Sequence, residues 1–302
     1  MSEFSRGCIS FFRGGRYPHC HSVIIDDSVR AIIDAASDRE RLLAFGRDRA
    51  VDVIVTSHAH EDHFMYNSLF PASRLWVHEA DAPAFASLQY FIDLFQPDEE
   101  EIELWKEYLT REANYVPRKV DRMLHDDDRL DFGRTVGRVI HTPGHTPGHC
   151  SFYFPGEGVL YLADWDLVEA GPYYGDPNSD LDQTITSLER LMEIRADVYL
   201  TAHGKGIFEA DPRIIEKYLG TIFLREERLL DLLSRGPKTL DEITHQGIIY
   251  GGAKSIGAWN LAVSERNMMH KHLQKLMRQG LVCRENDKYH ANSSGLSSCT
   301  SG

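Results

Sequence analysis

The sequence predicts a layered α/β domain followed by a small module of helices and a β-hairpin. Short β-rich runs alternate with helical stretches over the first two thirds of the chain. The texture changes near Thr221, where helices and then one hairpin take over. A length of 302 residues suits one large domain plus a small one.

Taken in order, Ser22–Asp26 and Ala31–Asp34 read as strands around an Asp27–Ser28 turn. VDVIVT at 51–56 follows a polar helix and reads as a buried strand. Leu75–His78, Val136–His141, Ser151–Phe154, Val159–Leu162 and Asp197–Thr201 continue the series. A helix is expected over Asp180–Ile194, where Leu181, Ile185, Leu188 and Met192 recur at helical spacing. Residues 80–128 form a long, mostly helical insertion rich in aromatics (Phe85, Tyr90, Phe91, Phe95, Trp105, Tyr108). It reads either as a helical pair with its own core or as a lid over a site.

Beyond residue 220, a helix over Ile222–Ser234 stops at Gly236–Pro237. Thr239 and Glu242 form a capping box that starts a second helix. Ser264 is expected to cap a third, with Met268, Met269, Leu273, Leu276 and Met277 on one side, ending at Gly280. Two short strands around Glu285–Asn286–Asp287 follow, which is the order of a winged helix. The expected domains are therefore 1–220, 221–290, and a small, polar tail over 291–302 with the composition of a disordered segment.

Composition excludes several classes. With 42% hydrophobic and 26% charged residues the chain is neither disordered nor fibrous. The 33 Lys+Arg against 46 Asp+Glu give a net charge of −13, which disfavours a dedicated nucleic-acid binder. That sum divides unevenly: residues 221–290 hold 11 Lys+Arg and 8 Asp+Glu, whereas residues 1–220 hold 22 and 38. Lys271, Lys275 and Arg278 share one face of the third helix and are the candidate nucleic-acid contacts. Five scattered cysteines (Cys8, Cys20, Cys150, Cys283, Cys299) without a CxxC pair indicate reduced thiols. The early apolar run Ile9–Phe12 is too short for a signal-peptide core, and nothing approaches the ~20 apolar residues of a membrane span. A cytoplasmic protein with no membrane contact is expected.

The chemistry concentrates after the VDVIVT strand, in Ser57-His58-Ala59-His60-Glu61-Asp62-His63. Extended backbone puts His58 and His60 on one side, and the turn into a helix swings Asp62 and His63 toward a second point. One ion rarely takes four ligands from six residues, whereas two neighbouring ions can divide them. His145 projects from the Pro- and Gly-rich turn HTPGHTPGH, Asp164 ends an apolar strand, and His203 ends another in TAHG.

These residues resemble, in order and spacing, the metallo-β-lactamase superfamily, with its HxHxDH motif and a GHTPG-like turn close to that of glyoxalase II. The resemblance covers roughly residues 4–215. It implies an αββα sandwich with the site at one edge, and two zinc ions per chain, with iron or manganese as alternatives. His58, His60 and His145 would bind one ion, Asp62, His63 and His203 the other, with Asp164 bridging. A metal-bridging hydroxide, oriented by Asp62, would then cleave a small ester, thioester or lactone. Asp34 matches an early aspartate that holds loops near the site. His149, like His141, is expected to be structural or to orient a ligand by hydrogen bond.

Ala163, Trp165 and Asp166 depart from the family's usual residues around the bridging aspartate, which bears on the local pocket. His19 and His21 lie where the family has no ligand and are expected to be structural. Asp164 and the absence of an export signal argue against antibiotic hydrolysis. The alternatives are an RNA or DNA phosphodiesterase that uses the winged helix, and an iron-dependent persulfide dioxygenase with one iron on His58, His145 and Asp164. A small-molecule substrate is the expected partner.

Overall fold

A computed structural model describes residues 3–292, except 253–254 and 257–258. Two sheets face each other. The first has seven strands in sequence order: β1 (Phe4–Arg6), β2 (Ile9–Phe12), β3 (Ser22–Asp26), β4 (Arg30–Ile33), β5 (Val53–Val55), β6 (Arg74–His78) and β7 (Arg122–Leu124). β1 to β4 are antiparallel, and β4 to β7 run parallel. The second has six strands: β8 (Arg129–Asp131), β9 (Val136–His141), β10 (Cys150–Phe154), β11 (Val159–Tyr161), β12 (Val198–Leu200) and β13 (Ile207–Glu209), in the order β13-β12-β11-β10-β9-β8.

Strand alternation explains why the second sheet carries layers on both faces. Val139, Phe152, Phe154, Val159, Tyr161 and Leu200 point into the core between the sheets, against Val23, Ile25, Ile33 and Val53. Their neighbours Ile140, Leu160 and Tyr199 point outward and are covered by Leu181, Leu188 and Leu191 of α6 (Leu181–Met192) and by Ile215 and Tyr218 of α7 (Pro212–Ser234). On the first sheet's side lie α1 (Arg39–Asp48), α2 (Glu61–Phe64), α3 (Ala82–Ala86), α4 (Leu88–Asp93) and α5 (Glu99–Arg111). The layers are those of an αββα sandwich.

Several expectations shift. The hairpin β1–β2, turning at Gly7 (φ +59°), includes the apolar run at Ile9–Phe12. The 80–128 insertion holds three helices, not a pair, and its end is β7, a short edge strand with Met123 outward. The helix expected from Ile222 starts ten residues earlier, because Asp211 caps it and Pro212 occupies its first turn. The 220 boundary therefore falls inside α7. Its first half packs in the outer layer of the sandwich, and Leu229 and Leu233 of its second half pack in a separate core with Ile243, Met269, Leu273, Leu276, Val282 and Tyr289.

That small core is built by α7, β14 (Lys238–Thr239), α8 (Leu240–Thr244), α9 (Leu261–Arg278), β17 (Val282–Glu285) and β18 (Lys288–Ala291), with a separate two-stranded ribbon of β15 (Ser255–Ile256) and β16 (Trp259–Asn260). The strands order β14-β18-β17, and Asn286 turns the β17–β18 hairpin at φ +57°. The Thr239–Glu242 capping box is present, with Glu242 N donating to Thr239 Oγ1 over 3.1 Å and Thr239 N to Glu242 Oε2 over 2.8 Å. Ser264 does not cap α9 but lies inside it, since the helix begins at Leu261. Of the 291–302 tail, Ala291 ends β18 and residues 293–302 lie outside the described residues. Among the described residues, no helix is long and apolar enough to cross a membrane.

Candidate metal centre

The site sits where β5, β9, β11 and β12 end, at one edge of the sandwich. After β5, Ser57 N donates to Asp34 Oδ1 over 2.7 Å, and Cys150 N of the opposite sheet donates to Ser57 O over 2.9 Å. The loop is thus fastened to both sheets before His58. His60 precedes α2, whose first turn carries Asp62 and His63.

His145 is held in its turn by a carboxylate the sequence analysis missed. Asp81, buried, accepts from Gly148 N (2.9 Å), Ala59 N (2.8 Å) and Thr146 Oγ1 (3.1 Å), tying the His58–His60 loop to the His145 turn. A Cβ on Gly148 would lie 2.4 Å from Asp81 Cγ, so glycine is required there. Ala163 takes the left-handed conformation (φ +52°) immediately before Asp164, and Asp164 N donates to His149 Nε2 over 3.2 Å. His203 N donates to Asp166 Oδ1 over 2.7 Å.

The side chains converge in two groups. His58 Nε2 and His145 Nε2 each lie 3.0 Å from His60 Nδ1. Across from them, Asp62, His63 and His203 gather, with His203 Nε2 3.3 Å from Asp62 Oδ2. Asp164 faces both. Its Oδ2 is 3.2 Å from His145 Nε2 and 3.8 Å from His58 Nε2, while its Oδ1 is 2.8 Å from His63 Nε2 and 3.4 Å from His203 Nε2. Each group has the composition and closeness of a metal site. All seven residues that the motif singled out meet here.

One ring nitrogen of each of four histidines is engaged away from the centre, so that the other faces inward. His145 Nδ1 donates to Tyr173 O over 3.0 Å, so the lone pair of the neutral ring is on Nε2. His60 Nε2 lies 3.1 Å from Asp176 Oδ2, and His63 Nδ1 lies 3.1 Å from Asp34 Oδ2. His58 Nδ1 lies 3.0 Å from Ser57 Oγ. His63 Nε2 and Asp164 Oδ1 are buried and face each other at 2.8 Å without forming a well-directed hydrogen bond, an arrangement that a cation held by both atoms would satisfy. The donor set fits divalent metal ions.

Burial, with the neighbouring imidazoles, drives His58 well below the usual histidine range, leaving it neutral as a ligand must be. Burial raises a carboxyl, yet His63 and His203, both held above the usual histidine range, keep Asp164 well below its own. Asp166, despite the pull of His203 and its N–H, is pushed up to about 7, chiefly by burial and then by the Asp164 charge. It joins Asp164 and His203 in a third, overlapping ligand-like group.

The remaining candidates take supporting places. Asp34 accepts from Ser57 N and from Tyr161 Oη (2.7 Å), and is fully buried. His149 donates from Nδ1 to Thr142 O (3.0 Å), which orients its Nε2 toward Asp164 N. His141 donates to Pro147 O over 2.8 Å and stacks on His78. His19 and His21 stand apart from both groups, His21 accepting from Gly14 N over 2.9 Å. Trp165, the departure beside Asp164, packs against His149 at 4.9 Å and His145 at 6.2 Å. From the insertion, Phe95 packs against His60 at 5.8 Å, backed by Trp105 at 4.8 Å.

Lys271, Lys275 and Arg278 all turn toward neighbouring elements. Lys271 Nζ donates to Asp176 O (2.7 Å), Lys275 Nζ to both Glu226 carboxylate oxygens (2.8 and 2.9 Å), and Arg278 pairs with Asp182. Asp81, Asp176 and the Tyr173 carbonyl escaped the sequence analysis. Lone aspartates in loops carry no spacing signal, and a carbonyl carries none at all.

Buried imidazoles and carboxylates in two groups, at the strand ends of an αββα sandwich, define a metal-dependent hydrolase. Residues 16–203 match the Metallo-beta-lactamase superfamily, and the chain belongs to that superfamily. A metallo-beta-lactamase family protein from Thermus thermophilus superposes with a TM-score of 0.70 at 24% identity, covering 94% of this chain and 98% of that one. A beta-lactamase domain protein from Burkholderia ambifaria gives 0.70 at 20% identity, covering 94% and 91%. TTHA1623, solved in a di-iron-bound form, gives 0.52 at 22% identity, covering 68% and 96%. The first two likenesses extend past the superfamily match into the C-terminal module.

Proposed function

We propose that this enzyme is a dinuclear hydrolase of a small ester, thioester or lactone. The observation that carries this reading is the shared carboxylate: the two oxygens of Asp164 face different histidine groups. His58, His60 and His145 would hold one ion, and Asp62, His63 and His203 the other, with Asp164 between them. Imidazole and carboxylate donors without thiolate suit zinc, with iron and manganese as alternatives. Bound ions supply Lewis acidity and make water acidic enough to ionise near neutral pH. The chain's own groups position the reactants. Asp62, whose Oδ2 faces His203, would orient the attacking water. Phe95 and Trp105 wall the His60 side and restrict the substrate to what fits beneath the insertion.

We infer that the C-terminal module is a winged helix that serves the catalytic domain and does not bind nucleic acid. The engagement of Lys271, Lys275 and Arg278 with acceptors on neighbouring elements supports this, because a phosphate backbone needs free cations.

Elemental analysis of the purified protein, followed by a panel of thioester, lactone and phosphodiester substrates, tests the reading. Two ions per chain are expected. His58→Ala and Asp164→Ala should lose metal and lower hydrolysis at least ~100-fold while retaining the circular dichroism of the fold. A single iron per chain with oxygen uptake would point instead to the persulfide dioxygenase.

A further inference from the structure

One short loop, residues 170–176, touches the metal centre on one side and the C-terminal module on the other. Toward the centre, Tyr173 O accepts from His145 Nδ1 (3.0 Å), and Asp176 Oδ2 lies 3.1 Å from His60 Nε2. Asp176 is buried, and its Oδ1 accepts from Tyr173 Oη over 3.1 Å. The loop therefore orients two of the three imidazoles of the first group.

Its outer side is held by α9 and α7. Asn267 Nδ2 donates to Gly175 O (2.7 Å) and Lys271 Nζ to Asp176 O (2.7 Å), while Tyr173 Oη lies 3.3 Å from Ser264 Oγ. From α7, Arg225 donates to Pro172 O (3.0 Å) and to Ala170 O. These are backbone carbonyls of an irregular segment with no ladder of its own, and side chains of another module satisfy them. Without those donors the loop would have to find other partners, and the positions of Tyr173 O and Asp176 would no longer be determined.

We propose that α9 is a clamp on the metal centre, and that Asn267 and Lys271 are positioning residues which, through the 170–176 loop, hold His60 and His145 in ligating orientation. This rests on the metal-centre reading above. It assigns the small module a role in metal affinity, and it gives Lys271 a function that does not involve nucleic acid.

The test is titration of the metal-stripped, full-length protein with cobalt(II), followed by visible absorption and by competition with a chelator. Outer partners of ligating histidines typically contribute 10–100-fold to metal affinity. Asp176→Asn, the direct contact, should weaken cobalt binding by that range. Lys271→Met and Asn267→Ala, acting one step further out, should each weaken it by about 10-fold or less and alter the ligand-field spectrum. The pair combined should approach Asp176→Asn. Lys271→Arg should restore most of the loss, and Arg266→Ala, also on α9, which removes an exposed pair with Asp241 of α8, should change nothing. Wild-type affinity and spectrum in both Lys271→Met and Asn267→Ala would overturn the clamp, even if Asp176→Asn is impaired. If the wild-type protein takes up no cobalt, the metal-centre reading fails and the clamp falls with it.

Discussion

At the scale of single residues, the centre depends on carboxylates that do different work. Asp164 lies between two imidazole groups, Asp34 and Asp176 face ring nitrogens, and Asp81 joins two loops. Asp81→Ala would leave Ala59 N and Gly148 N without acceptors inside the protein. Hydrogen bonds to a charged group are worth roughly 1.5–3 kcal/mol each, and their loss is partly shared, so destabilisation of about 2–4 kcal/mol is expected. Urea unfolding measures it, and a loss under about 0.5 kcal/mol would show that the two loops hold without Asp81. The four clustered ligand-type residues at 58–63 were legible in the sequence because they lie within six residues after an apolar strand. Asp81 and Asp176 were not, since each acts on groups 22 to 116 residues away.

At the scale of elements, the insertion and the helix α7 matter most. The three helices of the insertion contribute buried residues to the main core (Phe85, Phe91, Ile92, Leu109), yet Phe95 also reaches His60. Both readings of the insertion, a packed unit and a cover for the site, thus have a structural basis. They separate by kinetics. Trp105→Ala should raise KM for an ester or thioester substrate severalfold while metal content stays at the wild-type level, because it removes support from a wall and touches no ligand. An unchanged KM would make the insertion a packing unit alone. The capping box at Thr239 and the hairpin turn at Asn286 were readable locally, since caps and turns involve neighbours in sequence. The start of α7 has an equally local signal, Asp211 as cap with Pro212 in the first turn, which an expected domain boundary at residue 220 concealed.

At the scale of the molecule, α7 runs through both cores and is expected to couple their unfolding. Leu229 and Leu233 lie in the small core, and Ile215, Tyr218, Leu219 and Ile222 lie in the outer layer of the sandwich. Scanning calorimetry should therefore give a single unfolding transition. Leu229→Ala, at a typical cost of about 2–5 kcal/mol, should lower that transition as a whole. Two separated transitions would refute the coupling.

The same interface carries a pH dependence. Burial would raise Glu226, but His272 at 3.2 Å and the Lys275 ammonium hold its carboxyl below the usual range. A depressed carboxyl stabilises the fold above its unfolded pKa of about 4.3, and that contribution disappears as pH falls through the folded value. The difference in melting temperature between wild type and Glu226→Gln should thus be largest near neutral pH and shrink below about pH 4. A difference that is constant with pH would rule out the ionised pair as its source.

The layered fold and the seven residues that converge at the candidate metal centre were legible in the amino-acid sequence alone. Both depend on patterns that survive in one dimension: strand periodicity, turn-forming glycines and prolines, and ligand types at the ends of apolar runs. Only the tertiary structure decided which groups stand behind those residues, where the sandwich ends inside α7, and which way Lys271, Lys275 and Arg278 point. A helix face can be read from spacing, but what it faces depends on how the chain brings α9 against the 170–176 loop. Contacts between residues nearly a hundred positions apart leave no local trace.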